Sequence, residues 1–163
     1  MVKDPKAIAM YLPQFHNVKE NNMWWGEGFT DWRAMECAKP LFDGHRQPKC
    51  PLNNYKYDLM DKKTMQWQAD LMHKYHVYGL CFYHYWFKDA KKILEKPAEN
   101  LLQWKDIDMP FCFCWANESW VRSWSKLNNQ NVWASQFETN TKGEDKKGIL
   151  LEQDYGRESD WVE

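Results

Sequence analysis

The 163-residue sequence has no excess of charge of either sign, since 22 Lys and Arg residues stand against 23 Asp and Glu residues. This balance gives no electrostatic reason to expect nucleic acid or an anionic membrane surface as a partner. Long apolar runs are also missing, and the short N-terminal one is interrupted by Tyr11 and Pro13. We therefore predict neither a signal peptide nor a membrane span, and we expect a cytoplasmic protein.

Motifs for disulfides, cofactors and metals are missing as well. The five cysteines include no C-x-x-C pair, and Cys81, Cys112 and Cys114 lie in apolar runs. This is typical of buried free thiols in a reducing compartment. The stretch "GEGFTDW" has neither the Walker lysine nor the dinucleotide-binding pattern, and no His, Cys and carboxylate residues have metal-ligand spacing. We predict no metal and no cofactor.

Aromatic residues, by contrast, make up 17% of the chain and include 11 Trp, 8 Tyr and 8 Phe. The tryptophans lie beside Gly, Asn, Asp and Glu rather than inside smooth apolar runs. Flat aromatic faces flanked by hydrogen-bonding side chains suit a ligand with apolar C–H faces and many hydroxyls, which describes a sugar. The alternative is that these rings only fill a core.

The apolar runs and helical patterns alternate along the chain. Runs typical of buried strands occur at 7–12, 80–87, 111–116 and, more weakly, 148–153. A helix is predicted over 62–76, with Asp61 as its N-cap and a core-facing stripe of Met65, Ala69, Met72 and Tyr75 or His76. Residues 90–104 are predicted to be helical but broken near Pro97, which can begin a second helical piece. This order predicts an α/β fold of β/α units around a parallel sheet.

Two segments lack this periodicity. Residues 13–57 are rich in turn formers and aromatics, and an irregular stretch of this length is usually functional or misassigned. Residues 126–147 are polar and weakly patterned, which predicts a surface insertion. We treat the chain as one partial domain.

Polar or aromatic side chains follow the predicted strands, at the edge where parallel β/α folds bind ligands. The candidates for contacts with a substrate near these ends are Gln14, Tyr83, His84, Trp86, Asn117, Trp120, Arg122 and Trp124. Trp25, Asp31 and Trp32 in the long loop join them. His84 is expected to be a core or site-wall residue rather than a metal ligand.

Glu118, in "FCFCWANESW", is the leading candidate for a catalytic carboxylate. Neighbouring tryptophans are expected to desolvate it, which raises the pKa of a carboxyl and suits proton transfer near neutral pH. The alternative is a structural ion pair with Arg122, four residues further on. Glycosidic chemistry needs a second carboxylate, and Glu152 is favoured over Glu27 and Asp31 because it follows a predicted strand. Asp31 could instead cap a helix that begins there.

Six stretches carry a family resemblance: "IAMYLPQFHNVKENNMWWGEGFTDW", "AKPLFDGHRQPKCP", "YDLMD", "YGLCFYHYWF", "FCFCWANESW" and "ILLEQDYG". In this order they resemble the WbsX-type glycosyltransferase family, whose members are also described as glycoside hydrolase family 99-like domains. The chain differs from that family by interposing the polar stretch around 126–147.

The resemblance implies a (β/α)8 TIM-type barrel and a saccharide substrate, in the synthesis of bacterial surface polysaccharide such as the O-antigen of lipopolysaccharide. The resemblance does not decide between three alternatives: glycosyl transfer, hydrolysis of the endo-mannosidase kind, and an inactive sugar-binding fragment. It also does not identify the sugar, the donor or the acceptor. Because such a barrel needs about 250 residues, we interpret the chain as its N-terminal half. A C-terminal half or a second chain is then expected to complete the barrel.

Overall fold

A computed structural model describes residues 5–121, 126–127, 130–131 and 149–156. Its strands and α-helices are β1 (Ala7–Tyr11), α1 (Lys19–Trp25), α2 (Asp31–Glu36), α3 (Lys62–Lys74), β2 (Val77–Trp86), β3 (Lys92–Ile93), α4 (Lys96–Gln103), β4 (Phe111–Trp115), β5 (Trp120–Val121), β6 (Lys126–Leu127), β7 (Gln130–Asn131) and β8 (Ile149–Leu151). Short 3-10 turns occupy Leu52–Asn54 and Lys88–Ala90.

The chain divides into two compact units. The first consists of residues 1–16, 57–86 and 92–116, and the second of residues 17–56, 87–91 and 117–163. The first unit holds the parallel sheet and the two longer helices. The second unit holds the short helices and the antiparallel strand pairs.

The sheet of the first unit is built on β2. This strand pairs in parallel with both β1 and β4, and the short β3 joins its end in antiparallel orientation. The predicted α/β class with parallel strands and intervening helices is therefore confirmed. All three parallel strands lie within their predicted apolar runs to within a few residues.

Both helices of this unit pack on one face of the sheet. Leu80 and Phe82 of β2 share a single buried cluster with α3, α4 and the segment that follows α4; its other members are Leu59, Met65, Ala69, Met72, Ala98, Leu101, Ile107 and Met109. The opposite face carries Ile8 and Met10, which are 53% and 55% exposed. Sequential parallel strands with helices on one face are the winding of a β/α barrel, so the unit is consistent with a partial barrel.

Helix α3 shows why the local prediction succeeded and where it failed. The Asp61 side chain accepts a hydrogen bond from the Lys63 backbone N–H at 2.9 Å, as an N-cap does. The predicted stripe is buried at Met65, Ala69 and Met72. The prediction that Tyr75 or His76 continues this buried stripe is wrong. The helix ends at Lys74, Tyr75 is 66% exposed, and His76 has a left-handed φ of 59°.

Gly79 allows the close approach of β2 to the start of β4. The Leu80 backbone N–H donates to the Pro110 carbonyl at 3.0 Å. A Cβ on Gly79 would stand only 2.7 Å from that same carbonyl oxygen. The glycine is therefore required by packing against backbone rather than by an unusual φ.

Three predictions of secondary structure need correction. Residues 13–57 are not irregular throughout, because they contain α1 and α2, which are too short to show an apolar period. Residues 90–95 are not helical, because the chain forms β3 there, whereas the helical piece that Pro97 was predicted to begin is present as α4, with Pro97 in its first turn. Finally, β8 is not a fourth parallel strand, because it pairs antiparallel with β5.

The predicted surface insertion at 126–147 falls mostly outside the described residues. Within it, the backbones of β6 and β7 pair in antiparallel orientation, with Lys126 opposite Asn131.

Candidate functional site

The two predicted catalytic carboxylates lie on adjacent segments of the second unit. β5 and β8 pair antiparallel, with Trp120 opposite Leu151. Past the strands, the Gln153 backbone N–H donates to the Ser119 hydroxyl oxygen at 2.9 Å. Glu118 and Glu152 each immediately precede one partner of this hydrogen bond. The antiparallel pairing therefore brings their backbones together, although β8 does not end at the edge of the parallel sheet as expected.

The surroundings of Glu118 differ from the sequence-based expectation. Glu118 is exposed, as are Glu152 and Asn117. The expected desolvation by tryptophan is wrong for the nearest described ring, because Trp120 packs against Trp24 with ring centroids 5.7 Å apart. The alternative ion-pair partner, Arg122, lies outside the described residues, and so does Trp124.

Backbone hydrogen bonding and an ion pair hold the segment that carries Glu152. The Tyr155 hydroxyl donates to the Asn117 carbonyl, one residue before Glu118. Lys88 pairs with Asp154 at 2.7 Å, and this contact lowers the pKa of the Asp154 carboxyl. The second unit therefore fixes the chain on both sides of Gln153.

Asp31 stands out among the candidate carboxylates. It is the first residue of α2, where Thr30 rather than Asp31 occupies the N-cap position. The prediction that Asp31 caps the helix is therefore wrong by one residue. Burial raises the pKa of Asp31 to about 6. A carboxyl of this kind retains a proton at mildly acidic pH, as a general acid must.

The predicted aromatic platforms separate into buried and exposed rings. Trp25 is 8% exposed and packs against Phe29, and Trp120 is 6% exposed. As they stand, these two rings belong to the packing of the second unit and present no open face. Trp32 is half-buried. Trp86 is 43% exposed, which makes it the predicted tryptophan whose surface is most open among the described residues.

The first unit positions four of the predicted residues. Gln14 follows β1 and is half-buried, whereas Tyr83 and Trp86 on β2 are exposed. His84 lies between them, and its ring stacks near Phe113 with centroids 4.7 Å apart. Burial lowers the pKa of His84, Lys92 lowers it further, and Glu95 and Glu99 act in the opposite direction. The imidazole is therefore neutral at pH 7, as expected for a site-wall histidine.

Sequence reasoning did not assign a role to His16, which is 1% exposed just beyond β1. Burial lowers the pKa of His16, while Asp58, Glu95 and the Pro13 carbonyl raise it. Within the part of the chain that the structure describes, neither ring nitrogen makes a hydrogen bond of good geometry. Its place directly after an apolar strand was the available signal, but no neighbouring residue in the sequence indicates that the ring is buried.

Among residues 5–121, 126–127, 130–131 and 149–156, no three His, Cys, Asp or Glu side chains are grouped as metal ligands would be. No helix within these ranges has the length and apolar character that a bilayer crossing needs.

Comparison with known proteins identifies the family. The family described as "Glycosyltransferase WbsX" matches residues 7–163. The chain is 47% identical over 117 residues to "Uncharacterized protein WxcX" of Xanthomonas campestris pv. campestris strain B100, an alignment that covers 72% of this chain and 17% of that protein. The protein of the same name from strain ATCC 33913 gives the same values. No solved structure matches the chain.

These matches point to a polysaccharide-related family of carbohydrate enzymes. The matched residues include the parallel sheet, the aromatic side chains and the candidate carboxylates. The match over residues 7–163 shows that the chain belongs to the WbsX glycosyltransferase family, and the resemblance noted in the sequence is confirmed. The aligned part of the chain spans only 17% of the length of each of these curated relatives.

Proposed function

We propose that the chain is the N-terminal part of a glycosyltransferase that builds bacterial surface polysaccharide, such as the O-antigen of lipopolysaccharide. The observation that carries this proposal is the family match over residues 7–163. The placement of Glu118 and Glu152 on segments joined by the Ser119–Gln153 hydrogen bond supports it, because sugar transfer commonly uses carboxylates.

In the proposed reaction, one carboxylate accepts the proton of an acceptor hydroxyl. The oxygen then forms a bond to the anomeric carbon of the donor sugar, while the bond between that carbon and its leaving group breaks. The leaving group keeps the electron pair of the broken bond. Both carboxyl groups are exposed, so solvent and substrate can reach them, as a base or a group that stabilises an oxocarbenium-like transition state requires.

Polar and aromatic side chains are proposed to contact the sugar substrate. Asn117, beside Glu118, has amide groups that can hydrogen-bond sugar hydroxyls. Tyr83, His84 and Trp86 along β2, and Gln14 after β1, are the corresponding candidates in the first unit. Five further substrate contacts are proposed from the sequence: Arg122, Trp124, Trp25, Trp32 and Trp120. For the last three, the proposal requires that a ligand reaches their rings.

A glycoside hydrolase is the second candidate, and Asp31 is the observation that favours it. Hydrolysis requires a carboxyl that is still protonated when the glycosidic bond breaks, and burial raises the pKa of Asp31 to about 6. In that reaction water replaces the acceptor hydroxyl. A separation of about 5–5.5 Å between the catalytic carboxyl groups would favour a direct nucleophile, and about 6.5–9.5 Å would favour inversion.

The experiment incubates the purified chain with nucleotide-linked and lipid-linked sugar donors, with and without oligosaccharide acceptors, and follows the products by mass spectrometry. Extension of the acceptor by one sugar supports transfer. Release of free sugar from a polysaccharide, without extension, supports hydrolysis. Binding of sugar without either product would identify a catalytically inactive sugar-binding protein.

We also propose that further strands complete the sheet of the first unit, supplied by a C-terminal half or by a second chain. The support is the open face of β1, where Ile8 and Met10 are more than half exposed. Exposed apolar sheet surface is prone to association. Analytical ultracentrifugation is expected to show the chain self-associating when alone. A compact, monodisperse monomer with sharp thermal unfolding would contradict this proposal.

A further inference from the structure

An aromatic ladder runs along β2 and β4 on the sheet face that packs against the helices. Strand register places Phe82 opposite Phe113 and His84 opposite Trp115, so these alternate residues share a face. Ring centroids lie 4.7–5.6 Å apart in the connected pairs Phe82–Phe111, Phe111–Phe113 and Phe113–His84, and 6.3 Å apart in the pair Trp86–Trp115. These spacings are within the range of favourable ring contacts.

The exposure of the rings differs between the two strands. Along β2 it rises from Phe82, which is 1% exposed and belongs to the core, to Trp86, which is 43% exposed. Along β4, Phe113 is 51% exposed and Trp115 is half-buried. Core packing therefore accounts for Phe82 but leaves Trp86 and Phe113 with open surface.

Hydrogen bonds fix the outer end of the ladder. The Trp115 indole N–H donates to the Trp86 carbonyl at 3.0 Å. The Ala116 backbone N–H donates to the His84 carbonyl at 2.9 Å, which extends the pairing of the two strands. The Trp86 and Trp115 rings lie at 49° to each other with centroids 6.3 Å apart. The half-buried Trp115 ring is thus held in place before any ligand binds.

Charged side chains lie beside these rings. Trp86 is opposite Lys92 in the antiparallel pairing of β2 with β3. Lys92 is 3.5 Å from Glu99, and Glu99 also pairs with Lys96 at 2.6 Å. All three side chains are at least one-third exposed. Exposed apolar faces beside donors and acceptors match a ring that has C–H faces and peripheral hydroxyls.

We infer that Trp86 and Trp115 form a stacking subsite for one pyranose ring of a saccharide, with Lys92 and Glu99 as partners for its hydroxyls. This inference rests on the proposed carbohydrate function and adds Trp115, to which the sequence assigned no role.

The test measures binding of neutral oligosaccharides built from glucose, mannose, galactose or rhamnose to the full 163-residue chain. Saturation-transfer NMR selects the tightest-binding saccharide, and calorimetry then gives its affinity. Trp86→Ala is expected to weaken binding by about tenfold or more, as loss of a central aromatic contact commonly does. Trp86→Phe, which keeps a smaller ring, is expected to lose only about threefold.

Trp67 provides the matched control, because this tryptophan of α3 is 41% exposed and lies in the same unit. Trp67→Ala is expected to leave the affinity unchanged, and thermal unfolding verifies that each variant folds. Equal affinity of the unaltered chain and Trp86→Ala would overturn the subsite, as would the absence of binding by every saccharide in the panel. Sugar transfer that persists in Trp86→Ala with unchanged affinity would overturn the subsite while leaving the proposed function intact.

Discussion

The Gln153 backbone N–H donates to the Ser119 hydroxyl oxygen at 2.9 Å, across 34 residues of sequence. This bond extends the antiparallel pairing of β5 and β8 to the residues that follow the two proposed catalytic glutamates. Loss of this hydrogen bond is therefore expected to move the segment that carries Glu152 and, with it, to affect the proposed reaction.

Replacing Ser119 tests this connection. Ser119→Ala removes the acceptor of the Gln153 N–H and is expected to lower the free energy of unfolding by about 1 kcal/mol. Ser119→Thr keeps the hydroxyl and is expected to restore most of that stability and of the turnover. Urea unfolding and product formation, measured on both variants, provide the comparison. Identical behaviour of the alanine and threonine variants would show that the hydroxyl makes no contribution.

Asp31 predicts a pH dependence of stability. Its pKa rises from 3.8 to about 6 on folding, so the folded state holds the proton more tightly than the unfolded state does. Below pH 3.8 the carboxyl is protonated in both states and costs nothing. Between pH 3.8 and about 6 stability falls as pH rises, and above that range the full cost of up to about 3 kcal/mol is present.

Asp31→Asn removes this ionisation. Urea unfolding at pH 4, 5, 6 and 7 is expected to show the variant gaining stability over the unaltered chain as pH rises to 6, with no further gain at pH 7. A difference between the two proteins that is the same at all four pH values would contradict the raised pKa.

Gly79→Ala tests the close approach of β2 and Pro110. The new Cβ would stand 2.7 Å from the Pro110 carbonyl oxygen, and backbone cannot move aside as a flexible side chain can. We expect a loss of about 3 kcal/mol, at the upper end for overpacked sites. Gly44→Ala is the control variant. A Cβ added at Gly44 would have no atom within 4 Å, so only the φ of +79° at this position disfavours a side chain. Equal losses at the two glycines would rule out the backbone clash.

His76→Gly is expected to stabilise the chain. His76 is exposed and has a φ of 59°, a left-handed conformation that costs a non-glycine residue about 1–2 kcal/mol. The greater freedom of glycine in the unfolded chain offsets part of this, which leaves a net gain of about 0.5–1 kcal/mol. Lys74→Gly, inside the last turn of α3, is expected to lose about 1 kcal/mol instead. Thermal unfolding of both variants distinguishes a local conformational effect from a general effect of glycine.

The first unit could be predicted largely from the sequence because its signals are local. Asp61 and the stripe of Met65, Ala69 and Met72 define α3, and three apolar runs define the parallel strands. The end of the helix was missed because the left-handed residue that ends it is His76, and neither glycine nor asparagine is present at this position to signal it.

The second unit was predicted less well because its structure depends on partners far apart in the chain. The run Ile149–Leu151 indicates a strand but does not specify its neighbour, so its antiparallel pairing with Trp120 could not be derived. The sequence indicated aromatic surroundings for Glu118, but whether Trp120 faces Glu118 or Trp24 depends on tertiary packing. The same limit applies to the burial that raises the pKa of Asp31.

Turnover of Glu118→Gln and Glu152→Gln, compared with that of the unaltered protein, tests whether these glutamates are catalytic. Glu36→Gln is the control, because this exposed glutamate of the second unit pairs with Lys56 and has no proposed catalytic role. We predict that each catalytic variant loses about 10²–10⁴-fold in rate while the control retains full activity. Undiminished turnover by Glu118→Gln would contradict the central claim that this glutamate is catalytic.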